Sequence, residues 1–172
     1  ALMVLAIAVG IGASMTTLTV VYLLSGDPLP GRSGDLYYPQ LDANPNSKGR
    51  EPYDVLDYRS AFDLWSSGRA DQQTLVVTNP VKLRPDQGSA PPVIRSSIST
   101  TTDFATMFAV PLAHGRWWSR EEDDARARVV VISSELNEQM FGGGDSVGQT
   151  LRVKDTAMRI VGVLAPWRPS PL

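Results

Sequence analysis

Between Gly143 and Thr150 the chain reads GGDSVGQT. A single position separates this from a phosphate-binding loop, since Gln149 stands where the loop's lysine belongs. In such a loop glycines let backbone N–H groups close around phosphates, and the lysine supplies positive charge. Gln149 carries no charge, and Asp145 would repel a phosphate. The loop must also lead from a strand into a helix. Here the glycines follow a helical pattern and precede an alternating one. The stretch is therefore expected to be a structural turn.

His114 is the single histidine. A metal site would need carboxylates alone to join it, and neither D-x-D-x-D-G nor H-E-x-x-H occurs. A histidine–serine couple would rest on the same residue. Ala113-His114-Gly115-Arg116 reads as a turn carrying an exposed imidazole. Glu121, Glu122, Asp123 and Asp124 could supply acid–base chemistry only if a cleft held two of them at the right separation. On a short helix the run reads as a solvated face. Trp117 and Trp118 are adjacent, so in an extended segment one faces inward and the other outward. Packing is their expected role, with a carbohydrate, peptide or partner surface as the alternative. No catalytic, cofactor-binding or metal site is expected. The chain has no cysteine, which excludes disulfide, thiolate and cysteine–zinc chemistry. A net charge of −2 argues against nucleic acid as a partner, because phosphate binding needs a basic face.

The elements that carry these groups are legible around residues 129–164. Val129, Val130, Val131 and Ile132 make a short apolar run, the pattern of a strand buried on both faces. Ser133 or Ser134 can cap a following helix, and Glu135 suits its positive end. Leu136, Met140 and Phe141 share one face of it. Gly142, Gly143 and Gly144 end it, because glycine enters the left-handed region without steric cost. Leu151 and Val153 then alternate with polar residues, 154–156 make a turn, and 158–164 return as the second strand of a hairpin.

Upstream signals are sparser. Residues 36–41, LYYPQL, have strand character, with Pro39 confining them to an edge. Residues 53–66 read as an amphipathic helix that packs Val55, Tyr58, Phe62 and Trp65 on a sheet and stops at Gly68. A short strand at 75–77 precedes a proline-bearing loop at 79–92, and 93–99 alternate as a strand. Thr102 or Asp103 can cap a short helix reaching Phe108. Ser119 and Glu122 have the spacing of a capping box. With 42% hydrophobic residues in 172, an α+β core is within reach.

Residues 1–24 contain no charged side chain. As a helix they would run about 36 Å at 1.5 Å per residue, enough to cross a bilayer core of roughly 30 Å. A signal peptide should open on a basic leader, which is absent here. The expected division is a transmembrane helix over 1–25 and an extracytoplasmic domain over 26–172. Ala6, Gly10 and Ser14 recur at every fourth position, as do Ala8, Gly12 and Thr16. The first set is a candidate helix-packing face, where a second membrane helix could approach closely.

The order VVVIS, short helix, MFGGGDSVGQTLRV and a hairpin closing on IVGVL resembles the extracytoplasmic core domain of MacB-type, FtsX-like ABC transporter permeases. Thr102-Asp103-Phe104 followed by FAVPLAHGRWWSREEDD resembles the preceding segment, so the likeness covers roughly 93–164. The resemblance implies a two-lobed mixed sheet, with 36–77 opening the first lobe, 93–164 forming most of the second, and a fold truncated at the C-terminus. It implies a non-ATPase permease subunit in the bacterial inner membrane, its outer domain on the periplasmic or extracellular side. ATP hydrolysis in the cytoplasm would then drive export or periplasmic mechanical work. The implied partners are a cytoplasmic ABC ATPase subunit or domain, a second permease copy, a periplasmic adaptor and membrane lipid, with no cofactor. Two other classes remain open at this point: a membrane-anchored extracytoplasmic binding or sensor protein, and a secreted hydrolase with an uncleaved leader. Later membrane spans in the parent gene would favour the permease, a single span the sensor, and cleavage after the first segment the hydrolase.

Overall fold

A 23-residue helix, α1 (Leu2–Leu24), opens the chain and bears no charged side chain. Its threonines turn their hydroxyls back on the helix: Thr16, Thr17 and Thr19 donate to the carbonyls of Gly12, Ala13 and Met15 at 2.8–3.0 Å. The computed structural model describes residues 2–25, 27, 29, 31–40, 55–86 and 91–167. Among the described residues no helix is long and apolar enough to cross a membrane. The side chains of 2, 5, 6, 23 and 24 lie outside the described set. The chain divides into two compact units, Ala1–Pro39 with Arg168–Leu172, and Gln40–Trp167. In the first unit the expected edge strand at 36–41 does not form: 36–40 carry no strand, and Leu41 lies outside the described residues. Pro39 lacks an N–H for a ladder, and Tyr37 and Tyr38 are exposed.

Among the described residues the first helix of the second unit is α2 (Tyr58–Ser66). It is shorter than the expected 53–66, because Asp57 caps it by accepting from Arg59 N and Ser60 N at 3.1 and 3.2 Å. Residues 53 and 54 lie outside the described set. The aromatic stripe is not packed on the sheet as expected. Tyr58 and Phe62 stay 65% and 41% exposed and stack along their own helix. Only Trp65 is anchored, its Nε1–H donating to Gln73 O at 3.2 Å.

Six strands form one mixed sheet: β1 (Val76–Pro85), β2 (Val93–Thr100), β3 (Leu112–Gly115), β4 (Val129–Ile132), β5 (Thr150–Val153) and β6 (Thr156–Leu164). The strand order is β2-β1-β5-β6-β3, with β4 also on β6. All strands among the described residues belong to this sheet, which takes in the 93–164 expected for the second lobe, and no separate first lobe opening at 36–77 is seen there. The expected short strand at 75–77 extends instead through Pro85, well into the expected loop, and β1 pairs antiparallel with β2 from Val76↔Thr100 to Leu83↔Val93, while 87–90 lie outside the described residues. Pro80 is tolerated because β5 reaches only Leu83–Pro85, leaving one side of β1 open at the proline.

Everything converges on β6. It pairs antiparallel with β5 and β3 and parallel with β4. Between β4 and β6 the chain passes through α5 (Ser134–Phe141), the expected strand–helix–hairpin order. Ile132, Leu136, Leu151, Ile160 and Val163 fill the core with Val81 and Leu83. Val129, Val130 and Val131 are only half-buried, so β4 is covered less completely than its sequence suggests. Two glycines make the β3–β6 contact possible. A side chain on Gly162 would begin 2.6 Å from Arg116 O, and one on Gly115 would begin 2.3 Å from Val161 O. Gly115 also has φ +74, which disfavours any other residue.

Gly162→Ala is therefore expected to lower stability by roughly 1–3 kcal/mol through overpacking. Ile160→Ala should cost about 2–5 kcal/mol, since it empties a fully buried site. Urea unfolding of the two variants beside the parent chain checks both values. Glycine at 144, where an added side chain meets nothing within 4 Å, is the control and should tolerate alanine.

Candidate functional site

The carboxylate run at 121–124 is not simply a solvated face. It lies on α4 (Arg120–Asp124), opened by a full capping box in which Ser119 Oγ accepts from Glu122 N and Glu122 Oε2 accepts from Ser119 N. Glu122 then reaches outward. Arg116, just after β3, donates to both its oxygens at 2.6 and 2.7 Å, and Arg159 of β6 stands 3.8 Å away. The Arg116 hydrogen bonds, with the Ser119 N–H and the nearby cations, lower the Glu122 carboxyl from 4.5 to about 2. Asp123 Oδ2 accepts from Thr102 N and Oγ1 at 2.9 and 2.8 Å. Asp103 does not cap the next short helix, α3 (Phe104–Met107), with its side chain. Its Oδ2 accepts from Gln73 N at 3.4 Å, and its Oδ1 pairs with Arg120 at 3.6 Å. Three acids thus tie α4 to β3, β6 and the start of α3.

Beside this latch lies an aromatic cluster. Trp117 and Trp118 do not diverge as an extended strand would require. Their rings stack at 4.3 Å and both are half-buried. Phe104 lies 6.2 Å from Trp117, 4.7 Å from Phe108 and 6.3 Å from Trp167. The cluster walls an open cavity of about 450 Å³ whose floor includes Val81, Leu83 and Leu151. Sequence reasoning found the tryptophans but neither Trp167 nor the cavity, because its residues meet only through sheet pairing.

His114 lies on β3 opposite Val163 rather than in a turn, though it is exposed as expected. Strand pairing to β6 overrides the local turn signal of Gly115. The glycine stretch follows α5 and precedes β5, with Gly142 as a left-handed C-cap at φ +79. Asp145 Oδ1 accepts from Val147 N at 3.0 Å, Gln149 N donates to Ser146 O, and Gly148 N donates to Ile160 O. Asn137, 2% exposed, donates to Gly144 O at 2.8 Å and pins the turn to α5. These bonds serve the turn, while the buried Ser146 hydroxyl has no partner among the described residues. Among the described residues no three histidine or acidic side chains gather as a metal site. Of the candidate packing face, Gly10 and Ser14 lie on α1 and are exposed, and the Ala6 side chain lies outside the described residues.

A mixed sheet of this kind is found in the extracytoplasmic domains of ABC-type transporters. The periplasmic region of MacB from Actinobacillus actinomycetemcomitans has a TM-score of 0.53 at 17% identity, over 62% of this chain and 49% of that one. The extracellular domain of the noncanonic ABC-type transporter YknZ from Gram-positive bacteria has a TM-score of 0.55 at 14% identity, over 64% and 58%. The family profile described as MacB-like periplasmic core domain matches residues 1–171, and the chain belongs to that family. Among curated relatives, the pyoverdine export ATP-binding/permease protein PvdT of Pseudomonas aeruginosa is 28% identical over 64 residues, 37% of this chain and 10% of that protein. The macrolide export ATP-binding/permease protein MacB of Chlorobaculum tepidum is 33% identical over 61 residues, 36% and 9%. The chain thus spans about a tenth of these relatives.

The Glu122 latch carries a pH signature. Its carboxyl is depressed in the fold, so its contribution is present above the ordinary value of 4.5 and is lost as pH falls toward about 2. Glu122→Gln should lower the Tm at pH 7 and flatten the decline in Tm between pH 5 and pH 2. Thermal melts of both proteins across that range check the sign. Parallel curves would remove Glu122 from the account.

Proposed function

We propose that this chain is part of the permease of an ABC exporter, without enzymatic activity of its own. In this reading α1 crosses the bacterial inner membrane and residues 26–172 belong to the periplasmic or extracellular domain. That domain carries motion generated by ATP hydrolysis in a cytoplasmic ATPase subunit or domain. The observation that carries the reading is the family match over 1–171, which takes in both α1 and the sheet. The absence of charge in α1 and its internally satisfied threonines suit a lipid environment, where an unpaired hydroxyl is costly. A sheet with fully buried Leu151 and Ile160 resists deformation and suits transmission. The relatives PvdT and MacB are named for pyoverdine and macrolide export, and small-molecule export is the class we assign. A second permease copy, membrane lipid and a periplasmic adaptor complete the proposed assembly. The small-residue face Ala6, Gly10 and Ser14 is the place on α1 where another helix would approach.

The test is a flexible Gly-Ser insertion after Gly34, between α1 and the sheet, in the complete transporter. Motion cannot be passed through a slack joint, so export should fall by more than about tenfold while ATP hydrolysis and membrane abundance persist. His114→Ala, an exposed change outside the core, should leave export intact. Undiminished export with the insertion would reject transmission through this connection.

A further inference from the structure

The rim of the aromatic cavity has a charge signature. Four charged residues line it: Arg95, Glu122, Asp123 and Arg126. Glu122 is held by Arg116 at 2.6 and 2.7 Å, with Arg159 at 3.8 Å. Asp123 takes two hydrogen bonds from Thr102. The fold therefore satisfies both acids, though only Glu122 is met by cations and Asp123 keeps its charge.

The cations differ. Arg95 donates to a neutral partner, Gln139 Oε1, at 2.8 Å, so its charge is not balanced there. The Arg126 guanidinium is exposed and has no side-chain partner among the described residues. Its backbone lies in the left-handed region at φ +50, which costs a non-glycine residue on the order of 1 kcal/mol. Strain of this kind gathers at ligand clamps. One further donor is idle: the Trp117 indole N–H in the wall is buried and has no acceptor among the described residues. Two uncompensated cations, Arg95 and Arg126, thus stand against one uncompensated carboxylate, Asp123, and an apolar cavity with an idle donor and one positive charge in excess at its rim favours one ligand chemistry over its charge-reversed counterpart.

We propose that the cavity binds an anionic amphiphile, with its alkyl or aryl body against Trp117 and Trp118 and its carboxylate or sulfonate at Arg126. The inference goes beyond the transport reading and does not depend on it. A cationic amphiphile of the same shape would bury the same apolar area but meet Arg126 with like charge.

The chain contains four tryptophans, and Trp117, Trp118 and Trp167 line the cavity. Contact quenching by bromine therefore reads occupancy directly. The whole chain, in nanodiscs of zwitterionic lipid, is titrated with 11-bromoundecanoate and with 11-bromoundecyl-trimethylammonium. The carboxylate should quench saturably above the linear background from lipid partitioning, and bind at least about tenfold tighter than the ammonium. Arg126→Gly relieves the backbone strain and removes the charge, so it should keep or raise the Tm and abolish the preference. Arg126→Lys should keep the preference to within about threefold. Absence of saturable quenching, as expected if another polypeptide or a second copy already fills the cavity, would overturn the proposal. Equal affinity for the two probes, or an unchanged preference in a folded Arg126→Gly protein, would do the same.

Discussion

Strand β6 can serve three neighbours only because its backbone is bare at Gly162. Both β3 and β4 reach that residue, through Gly115↔Gly162 and Val131↔Gly162, and each ladder shifts register close by. The Arg116 carbonyl occupies the space a side chain would need. From this contact the rest of the unit follows. Arg116 N donates to Val161 O at 2.9 Å, which places the Arg116 guanidinium beside α4. Glu122 then holds Arg116 and approaches Arg159 of β6 itself. A backbone approach and an ion-pair latch thus close on the same strand from two directions.

The aromatic cluster depends on that closure. Trp117 and Trp118 follow Arg116 directly, so the β3 crossing sets where they emerge. The latch fixes α4 on one side of them, and Thr102 with Asp123 fixes the start of α3 and hence Phe104 on the other. Exposed ion pairs stabilise little by themselves. Here their main effect is geometric, since they hold ring positions that hydrophobic burial alone would leave free to slide. The apolar floor below is shared with the core through Val81, Leu83 and Leu151.

Features with local causes were legible in the sequence. Ser133 Oγ accepts from Leu136 N at 3.2 Å, Gly142 is left-handed, and Ser119 and Glu122 form the expected box. Each depends on neighbours within a few residues. The family resemblance was equally legible, because the order of β4, α5, β5 and β6 is contiguous in the chain. Features set by distant partners were not. Pro80 reads as a loop until β2 is placed beside it, and His114 reads as a turn until β6 arrives. The stripe on α2 has helical spacing but largely exposed aromatics, a reminder that amphipathicity names a face and not its partner. The Glu122 latch reaches Arg116 only because the β3–β6 crossing presents it, with Arg159 of β6 nearby, and the cavity needed several strands and helices at once.

The central claim is that this sheet moves as one stiff body when a transporter containing it works. Because the chain has no cysteine, paired spin labels can be introduced into it with no native thiol of its own to remove. Two exposed sites on the sheet, Ser96 on β2 and His114 on β3, report its internal geometry, and Ser96 in each of two permease copies reports rigid-body movement. Pulsed dipolar distances are measured in the complete transporter, nucleotide-free and trapped during ATP hydrolysis. The account predicts an unchanged distance distribution within the sheet and a shifted one between copies. A shift within the sheet, with the distance between copies constant, would contradict it.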